Sequence, residues 1–206
     1  MQSAVIKKAK QKKQIQPSWE IAALFPKQGQ WSVQEYLDLP TNRQVEYVDG
    51  KLEVLPLPTH IHQRIILFLV QKLLALENKR MGIVIFAAIS VRLWEGRYRE
   101  PDIAFMLTEH KHRIHAEYWE TPDLVMEVVS DSNRNHDLIT KRNEYAKAGI
   151  PEYWIVDPET RTIIVLSLDG EKYTENGVYR ENEIASSVLL PGLNISVREV
   201  WEAAEL

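Results

Sequence analysis

The amino-acid sequence predicts an α/β fold in which a mixed β-sheet is flanked by α-helices. Two short runs, residues 103–106 and 123–130, are largely apolar on both faces, which is typical of central strands covered on both sides. A longer segment, about residues 60–79, has apolar residues at helical spacing and indicates an amphipathic helix packed on that sheet. The chain has 206 residues, a length that suits one domain with a full hydrophobic core.

Capping and turn signals place the other elements. The sequence from Ser32 to Glu35 is that of a capping box, which opens a short helix through Leu39. Asp49-Gly50 predicts a two-residue hairpin turn, and Thr59 can cap the long helix. The remaining predictions are strands over 44–48, 51–55, 83–94, 98–106, 152–156 and 162–168, a polar loop with a helical piece over 107–121, and helices over 133–148 and 197–203.

The composition excludes several classes of protein. The chain contains no Cys, which rules out disulfide bonds and thiolate chemistry and is consistent with a reducing compartment. No segment is long and apolar enough to span a bilayer, and the N-terminus lacks the apolar core of a signal peptide. These features predict a cytoplasmic protein without a membrane segment.

A basic arm is predicted to precede the domain. Residues 1–30 are expected to be a flexible arm, and residues 31–206 are expected to form the domain. The net charge is −4, which is not the profile of a protein that coats nucleic acid electrostatically. The arm can contact phosphate backbones or remain a solvated terminus, and the sequence leaves both interpretations open. Its lysines are Lys7, Lys8, Lys10, Lys12 and Lys13.

Two acids embedded in apolar runs are the first candidates for a functional site. Glu127 lies in the middle of its run, where an ionised carboxylate is costly unless a cation or hydrogen bonds compensate it. Asp102 begins the preceding run and follows Pro101, which has no N–H and therefore suits a strand start or a bulge. Neighbouring strands would place the two carboxylates opposite each other, with Cβ atoms about 5 Å apart, where they repel.

A divalent cation would remove this repulsion. Hard oxygen ligands in the absence of Cys favour Mg²⁺ or Mn²⁺ over Zn²⁺. The alternative is that each acid pairs with a buried Arg or caps a loop. Because both acids lie in consecutive apolar strands, we favour a metal site formed by Asp102 and Glu127.

The order of several short motifs resembles that of a known family. Pro101-Asp102 is followed by Glu127 to Ser130, by Lys141, and by the segment from Gly149 to Asp157. Together these motifs are similar to those of the Uma family of restriction-endonuclease-like proteins, within the PD-(D/E)XK nuclease superfamily. The resemblance covers roughly residues 32–201. It implies a restriction-endonuclease-like core and metal-dependent hydrolysis of phosphodiester bonds in DNA.

One position departs from the superfamily pattern. The superfamily places its catalytic Lys two residues after the motif Glu, and that position is Val129 here. The resemblance implies that Lys141, on the following helix, takes over the role. Lys141 lies three residues after Leu138 and four before Tyr145, on the flank of the helix face that packs on the sheet. The alternative is an ordinary solvated Lys.

The resemblance also implies further members of the site. Glu46, before the Asp-Gly turn, is similar to an N-terminal Glu of the family and could complete the set of metal ligands, directly or through water. The alternative is a Glu on the exposed face of the hairpin. The carbonyl of Val128 is expected to be a further ligand. His62 resembles a family position near the site, although a capping or packing role is the favoured interpretation.

Three functions remain open at this level. The first is a Mg²⁺- or Mn²⁺-dependent endonuclease that acts on DNA, in which Asp102, Glu127, Lys141 and Glu46 are catalytic. The second is a catalytically inactive nucleic-acid-binding protein of the same fold, which the acidic body and the missing Lys at position 129 favour. The third is a protein that a metal stabilises without catalysis. Cleavage of both strands of a duplex would need two active sites, which makes a symmetric homodimer one expectation.

Overall fold

The computed structural model describes residues 25–41, 43–130 and 134–205. The Lys-rich stretch of the predicted arm and the predicted helix start at residue 133 lie outside these residues. The described helices are α1 (Val33–Leu37), α2 (His60–Glu77), α3 (Arg142–Ala148) and α4 (Val197–Glu205), with a 3₁₀-helix at Thr108–Arg113 and a π-helical segment at His136–Lys141. The strands are β1 (Val45–Val48), β2 (Lys51–Val54), β3 (Gly82–Phe86), β4 (Ser90–Trp94), β5 (Arg97–Arg99), β6 (Ile103–Leu107), β7 (Tyr118–Glu120), β8 (Leu124–Val128), β9 (Glu152–Asp157), β10 (Thr162–Asp169), β11 (Lys172–Tyr179), β12 (Ile184–Ser186) and β13 (Asn194–Ser196).

A six-stranded mixed sheet forms the centre of the fold. Its order is β11-β10-β9-β8-β6-β3, in which β8 and β9 are parallel and the other neighbours are antiparallel. Helix α2 covers one face and α3 the other, as predicted for a mixed sheet flanked by helices. Alternate residues of β8 point to opposite faces of the sheet. Met126 belongs to the hydrophobic cluster that includes α2, whereas Val125 belongs to the cluster that includes α3.

Residue alternation along β8 decides where Glu127 points. Val125 and Val129 lie two residues on either side of Glu127, and both belong to the apolar cluster that includes Tyr145 of α3. Because side chains alternate between the faces of a strand, Glu127 also faces α3. The helix that carries Lys141 and Tyr145 therefore covers the carboxylate.

A second sheet, of five strands, stands beside the first. Its order is β2-β1-β5-β4-β7. The expectation of single strands over 83–94 and 98–106 is wrong, because each segment breaks and its two parts join different sheets. Strands β3 and β6 pair in the six-stranded sheet, whereas β4 and β5 pair in the five-stranded sheet. Pro101 lies in the second break, and β6 begins at Ile103, as expected for a residue without an N–H at a strand start.

Local signals confirm the predicted hairpin and caps. The Asp49-Gly50 turn has φ values of 47° and 80°, and positive φ at both positions defines the type I′ turn expected from Asp-Gly. Ser32 forms the complete capping box with Glu35, and the Thr59 side chain caps α2 through the His62 N–H. In the described part of the predicted arm, the Gly29 N–H donates to the Gly50 carbonyl over 2.7 Å.

The helix that follows Glu127 is only partly as predicted. Its described part is helical from residue 134, and Gly149 ends it with φ of 81°, as the sequence indicates. The segment His136–Lys141, however, is π-helical rather than α-helical. Strands β7, β12 and β13 are also absent from the sequence prediction, since each is only three residues long and gives little periodicity.

Candidate active site

The pairing of β6 with β8 brings the two predicted acids together. These strands are antiparallel neighbours, with Ile103 opposite Met126. Extending this register by one residue places Asp102 beside Glu127 at the end of the pairing. The prediction that the two apolar runs form adjacent strands is confirmed, and both carboxylates line one cavity of about 400 Å³.

Glu127 is buried and bound by two side chains of the covering helix. Its Oε1 accepts hydrogen bonds from Lys141 Nζ at 2.9 Å and from Tyr145 Oη at 2.6 Å. Burial raises the pKa of Glu127 to about 8; Lys141 acts in the opposite direction, and the negative charges of Asp102 and Asp137 add to the rise. The sequence indicated Tyr145 as a core residue, and its ring is buried, but its hydroxyl also holds the acid.

Lys141 is a buried ammonium surrounded by carboxylates. Its Nζ lies 2.9 Å from Glu127 Oε1, 3.4 Å from Asp137 Oδ1 and 3.5 Å from Glu46 Oε1. Burial alone would lower the pKa of Lys141, but the surrounding acids raise it well above its ordinary value. The sequence left open that Lys141 is an ordinary solvated Lys. The structure excludes this alternative, because only 3% of Lys141 is exposed.

Asp102 is held by the backbone of β8 and by α2. Its Oδ2 accepts a hydrogen bond from the Val128 N–H at 2.8 Å and lies 3.1 Å from His62 Nε2. Burial would lower the pKa of His62, but its hydrogen bond to Asp102 raises the pKa overall. His62 thus lies in the cavity wall beside Asp102. Its backbone N–H also donates a hydrogen bond to the hydroxyl of Thr59, the residue that caps α2.

Glu46 reaches the same cluster from the five-stranded sheet and is fully buried. Its Oε2 accepts hydrogen bonds from Arg99 Nη1 at 2.6 Å and from His136 Nε2 at 3.2 Å. Burial would raise the pKa of Glu46, but Lys141, His136 and Arg99 hold it well below its ordinary value. The sequence left open that Glu46 lies on the exposed face of the hairpin, and this alternative is wrong because the side chain is buried.

Arg99 anchors Glu46 and links the five-stranded sheet to α3. Only 2% of Arg99 is exposed, and its guanidinium also binds Glu53 at 2.8 Å and Glu144 at 2.7 Å. Sequence reasoning missed this residue, because its partners are distant in the chain. Glu46 meets Arg99 through the pairing of β1 with β5, and Glu144 contacts it from α3.

Arg99→Met should destabilise the protein by about 3 kcal/mol or more, because it leaves the buried Glu46 without one of its cations. Urea unfolding measures the change. Lys72→Met is the matched control, since it removes a cation from an exposed pair with Glu199 and should cost no more than about 1 kcal/mol. Equal losses in the two variants would contradict the proposed anchoring.

Two further acids of the cavity were also missed. Asp137 and Glu100 are both buried and line the cavity. Asp137 lies one helical turn before Lys141, a spacing that could have indicated it. Oε2 of Glu100 is buried without a hydrogen-bond partner among the described residues. Burial raises the pKa of Glu100 to about 7, with Glu46 adding to the rise and a backbone hydrogen bond from Val45 opposing it.

The raised pKa of Glu100 predicts a pH-dependent loss of stability in the metal-free protein. The folded state holds a proton on Glu100 that the unfolded state releases above its ordinary pKa of 4.5. The contribution of Glu100 to stability should therefore fall by up to about 3 kcal/mol as pH rises from about 4.5 to about 7, in addition to the fall that Glu127 causes. The measurement is urea unfolding in EDTA across this range. Glu100→Gln, which cannot titrate, should show a shallower fall; parallel curves for the two proteins would contradict the assignment.

The donor set of the cavity suits a hard divalent cation. Asp102 and Glu127 accept their hydrogen bonds on Oδ2 and Oε1, so Oδ1 and Oε2 are the candidate donors, and Val128 lines the same cavity. Oxygen donors of this kind fit Mg²⁺ or Mn²⁺. Ligand atoms of Glu46, Glu53 and His136 also lie within 4.8 Å of one another, but Arg99 already supplies a positive charge to both of those carboxylates.

Comparison with known proteins identifies the family. The model of the Uma2 family, described as "Putative restriction endonuclease", matches residues 33–198. The chain belongs to the Uma2 family. The match includes Glu46, Asp102, Glu127 and Lys141, and it confirms the resemblance that the motifs indicate. No curated protein matches the chain.

A solved structure shares the Uma2 chain's fold. It is a crystal structure of a protein from Anabaena variabilis that is described as "a putative nuclease belonging to DUF820". The TM-score is 0.68 at 18% sequence identity, and the alignment covers 87% of this chain and 99% of the other. At this identity the similarity shows the fold, which confirms the predicted restriction-endonuclease-like architecture.

In the part of the chain that the structure describes, no helix has the length and hydrophobicity to cross a membrane.

Proposed function

We propose that this Uma2 protein is a DNA endonuclease that depends on Mg²⁺ or Mn²⁺ and hydrolyses phosphodiester bonds at the cluster of Asp102, Glu127 and Lys141. The observation that carries the proposal is the 2.9 Å contact between Lys141 Nζ and Glu127 Oε1. In this contact the ammonium of Lys141, from the following helix, lies beside the Glu127 carboxylate. Val129, which stands where the superfamily has its Lys, has no charged group to supply.

Asp102, Glu127 and the Val128 carbonyl would hold the cation, with Glu46 in support. When bound, the cation would polarise the scissile phosphate and lower the pKa of a water molecule. Tyr145 fixes the orientation of Glu127, and the Val128 N–H and His62 fix that of Asp102. This preorganisation keeps the two carboxylates in place before substrate arrives.

Lys141 acts as a permanently charged donor rather than as a base. Its pKa is raised well above its ordinary value, so the amine stays protonated at neutral pH. In this form it orients the attacking water or stabilises the negative charge that develops on the phosphate in the transition state. Glu46 and Asp137 share the remaining contacts of the ammonium and hold it beside Glu127.

The test of the proposed function is conversion of supercoiled plasmid by the purified protein. We expect nicked or linear product with Mg²⁺ or Mn²⁺ and none with EDTA. Asp102→Asn should abolish conversion, because it removes a charged ligand while keeping the shape of the side chain. Conversion at the same low rate by the wild type and Asp102→Asn would contradict the proposal and would favour an inactive nucleic-acid-binding protein.

A further inference from the structure

The cavity that holds the candidate catalytic groups has one wall without charge, formed by residues 55–58 and Ile61. This apolar wall consists of Leu55, Pro56, Leu57, Pro58 and Ile61, all of which line the cavity together with Asp102 and Glu127. Leu57 is 67% exposed and Ile61 is 51% exposed. Exposed aliphatic side chains at the mouth of a polar cavity favour a ligand that presents an apolar surface next to a charged group.

The cavity offers little positive charge to a phosphate backbone. Lys141 is the one Lys or Arg among the described residues that line it, and four carboxylates line it as well. Nearby Arg97 and Arg99 are engaged by acids. Proteins that bind duplex DNA draw most of their affinity from Lys and Arg contacts to phosphates. The cavity therefore offers few phosphate contacts to any DNA strand, and a substrate bound there needs a further contact.

Single-stranded DNA can supply this further contact. Its unstacked bases expose flat apolar faces that a duplex hides, and proteins that bind single strands pack side chains, most often aromatic ones, against those faces. In this cavity the side chains that can do so are aliphatic. The volume of about 400 Å³ is within the range of pockets that enclose small molecules. A single nucleotide can therefore enter with its base toward the wall and its phosphate toward the acids.

We infer that the preferred substrate is unpaired, single-stranded DNA, with a base against the apolar wall while the adjacent phosphate faces Asp102 and Glu127. This inference rests on the proposed nuclease function. It adds a substrate class, and it assigns Leu57 and Ile61 to substrate binding. Because the base contact is made in the ground state and in the transition state alike, the wall should influence KM rather than kcat.

The test compares cleavage of an end-labelled single-stranded oligonucleotide with cleavage of the same sequence as a duplex, in Mg²⁺. We expect the wild type to have a kcat/KM about tenfold or more higher for the single strand. Leu57→Ser and Ile61→Ser should each raise KM for the single strand about fivefold and leave kcat within about twofold. Leu67→Ser is the matched control, since Leu67 is 48% exposed on the same helix as Ile61 but does not line the cavity.

The outcomes separate this inference from the proposed function. Equal or faster cleavage of the duplex would overturn the inference and leave the nuclease function standing. An unchanged KM in both wall variants would overturn the base contact. Absence of cleavage of either substrate by the wild type would overturn the proposed function and the inference with it. Because Leu57 and Ile61 are largely exposed, both variants should fold, which circular dichroism checks.

Discussion

Glu127→Gln should lower the rate of DNA cleavage by about 1,000-fold, or roughly 4 kcal/mol of transition-state stabilisation, while the protein stays folded. The substitution keeps a group that can accept hydrogen bonds from Tyr145 and Lys141, but it removes the charge that would bind the cation. Burial of that charge is costly, as the raised pKa of Glu127 indicates. The free energy of unfolding in EDTA should therefore fall by less than about 1 kcal/mol, or it should rise.

The measurements for this variant are cleavage kinetics and Mn²⁺ binding by calorimetry. Glu152→Gln is a matched control, since Glu152 is a buried carboxylate on the adjacent strand β9 and does not line the cavity. Its carboxylate accepts hydrogen bonds from Trp154, Ser187 and two backbone N–H groups. Glu152→Gln should lose stability and keep Mn²⁺ affinity. Unchanged Mn²⁺ binding by Glu127→Gln would contradict the assignment of Glu127 as a ligand.

Lys141→Met should abolish cleavage and also destabilise the protein by about 3–5 kcal/mol, because buried carboxylates are left without their cation. Lys147→Met is the control on the same helix. Lys147 is exposed and its Nζ lies 4.3 Å from the centre of the Trp94 ring, so its loss should cost no more than about 1 kcal/mol. Urea unfolding compares the two variants, and equal stability would show that Lys141 does not compensate the acids.

The double variant Glu127→Gln/Lys141→Met separates the structural role of Lys141 from its chemical role. Removing both charges should restore at least about 1 kcal/mol relative to Lys141→Met, since the two groups are in direct contact. Cleavage should remain absent, because both the ligand and the ammonium are missing. Strictly additive losses of stability would contradict the coupling that the 2.9 Å contact indicates.

The part of the site carried by β6 and β8 could be predicted from the sequence. Short apolar runs identify buried strands, and an acid inside such a run requires compensation, so Asp102 and Glu127 could be found before the fold was known. Lys141 followed from the family pattern and from the absence of a Lys at position 129. Each of these signals is local in the chain.

The network around Glu46 could not be predicted in the same way. Arg99 meets Glu46 because β5 pairs with β1 in a separate sheet, and nothing in the alternation of residues 98–106 shows that the chain leaves that sheet after Arg99. The break after Phe86 is hidden for the same reason, since apolar residues continue through it. The π-helical winding before Arg142 also has no sequence signal of its own. Long-range pairing, rather than local propensity, decides these features.

The rate of supercoiled-plasmid cleavage by the wild type and by Glu127→Gln, measured side by side over a Mg²⁺ titration, tests the proposed metal-dependent centre most directly. We expect wild-type cleavage to rise from zero in EDTA to saturation with Mg²⁺, while Glu127→Gln stays at least about 1,000-fold slower. Equal rates for the two proteins, or wild-type cleavage that persists in EDTA, would contradict the metal-dependent centre.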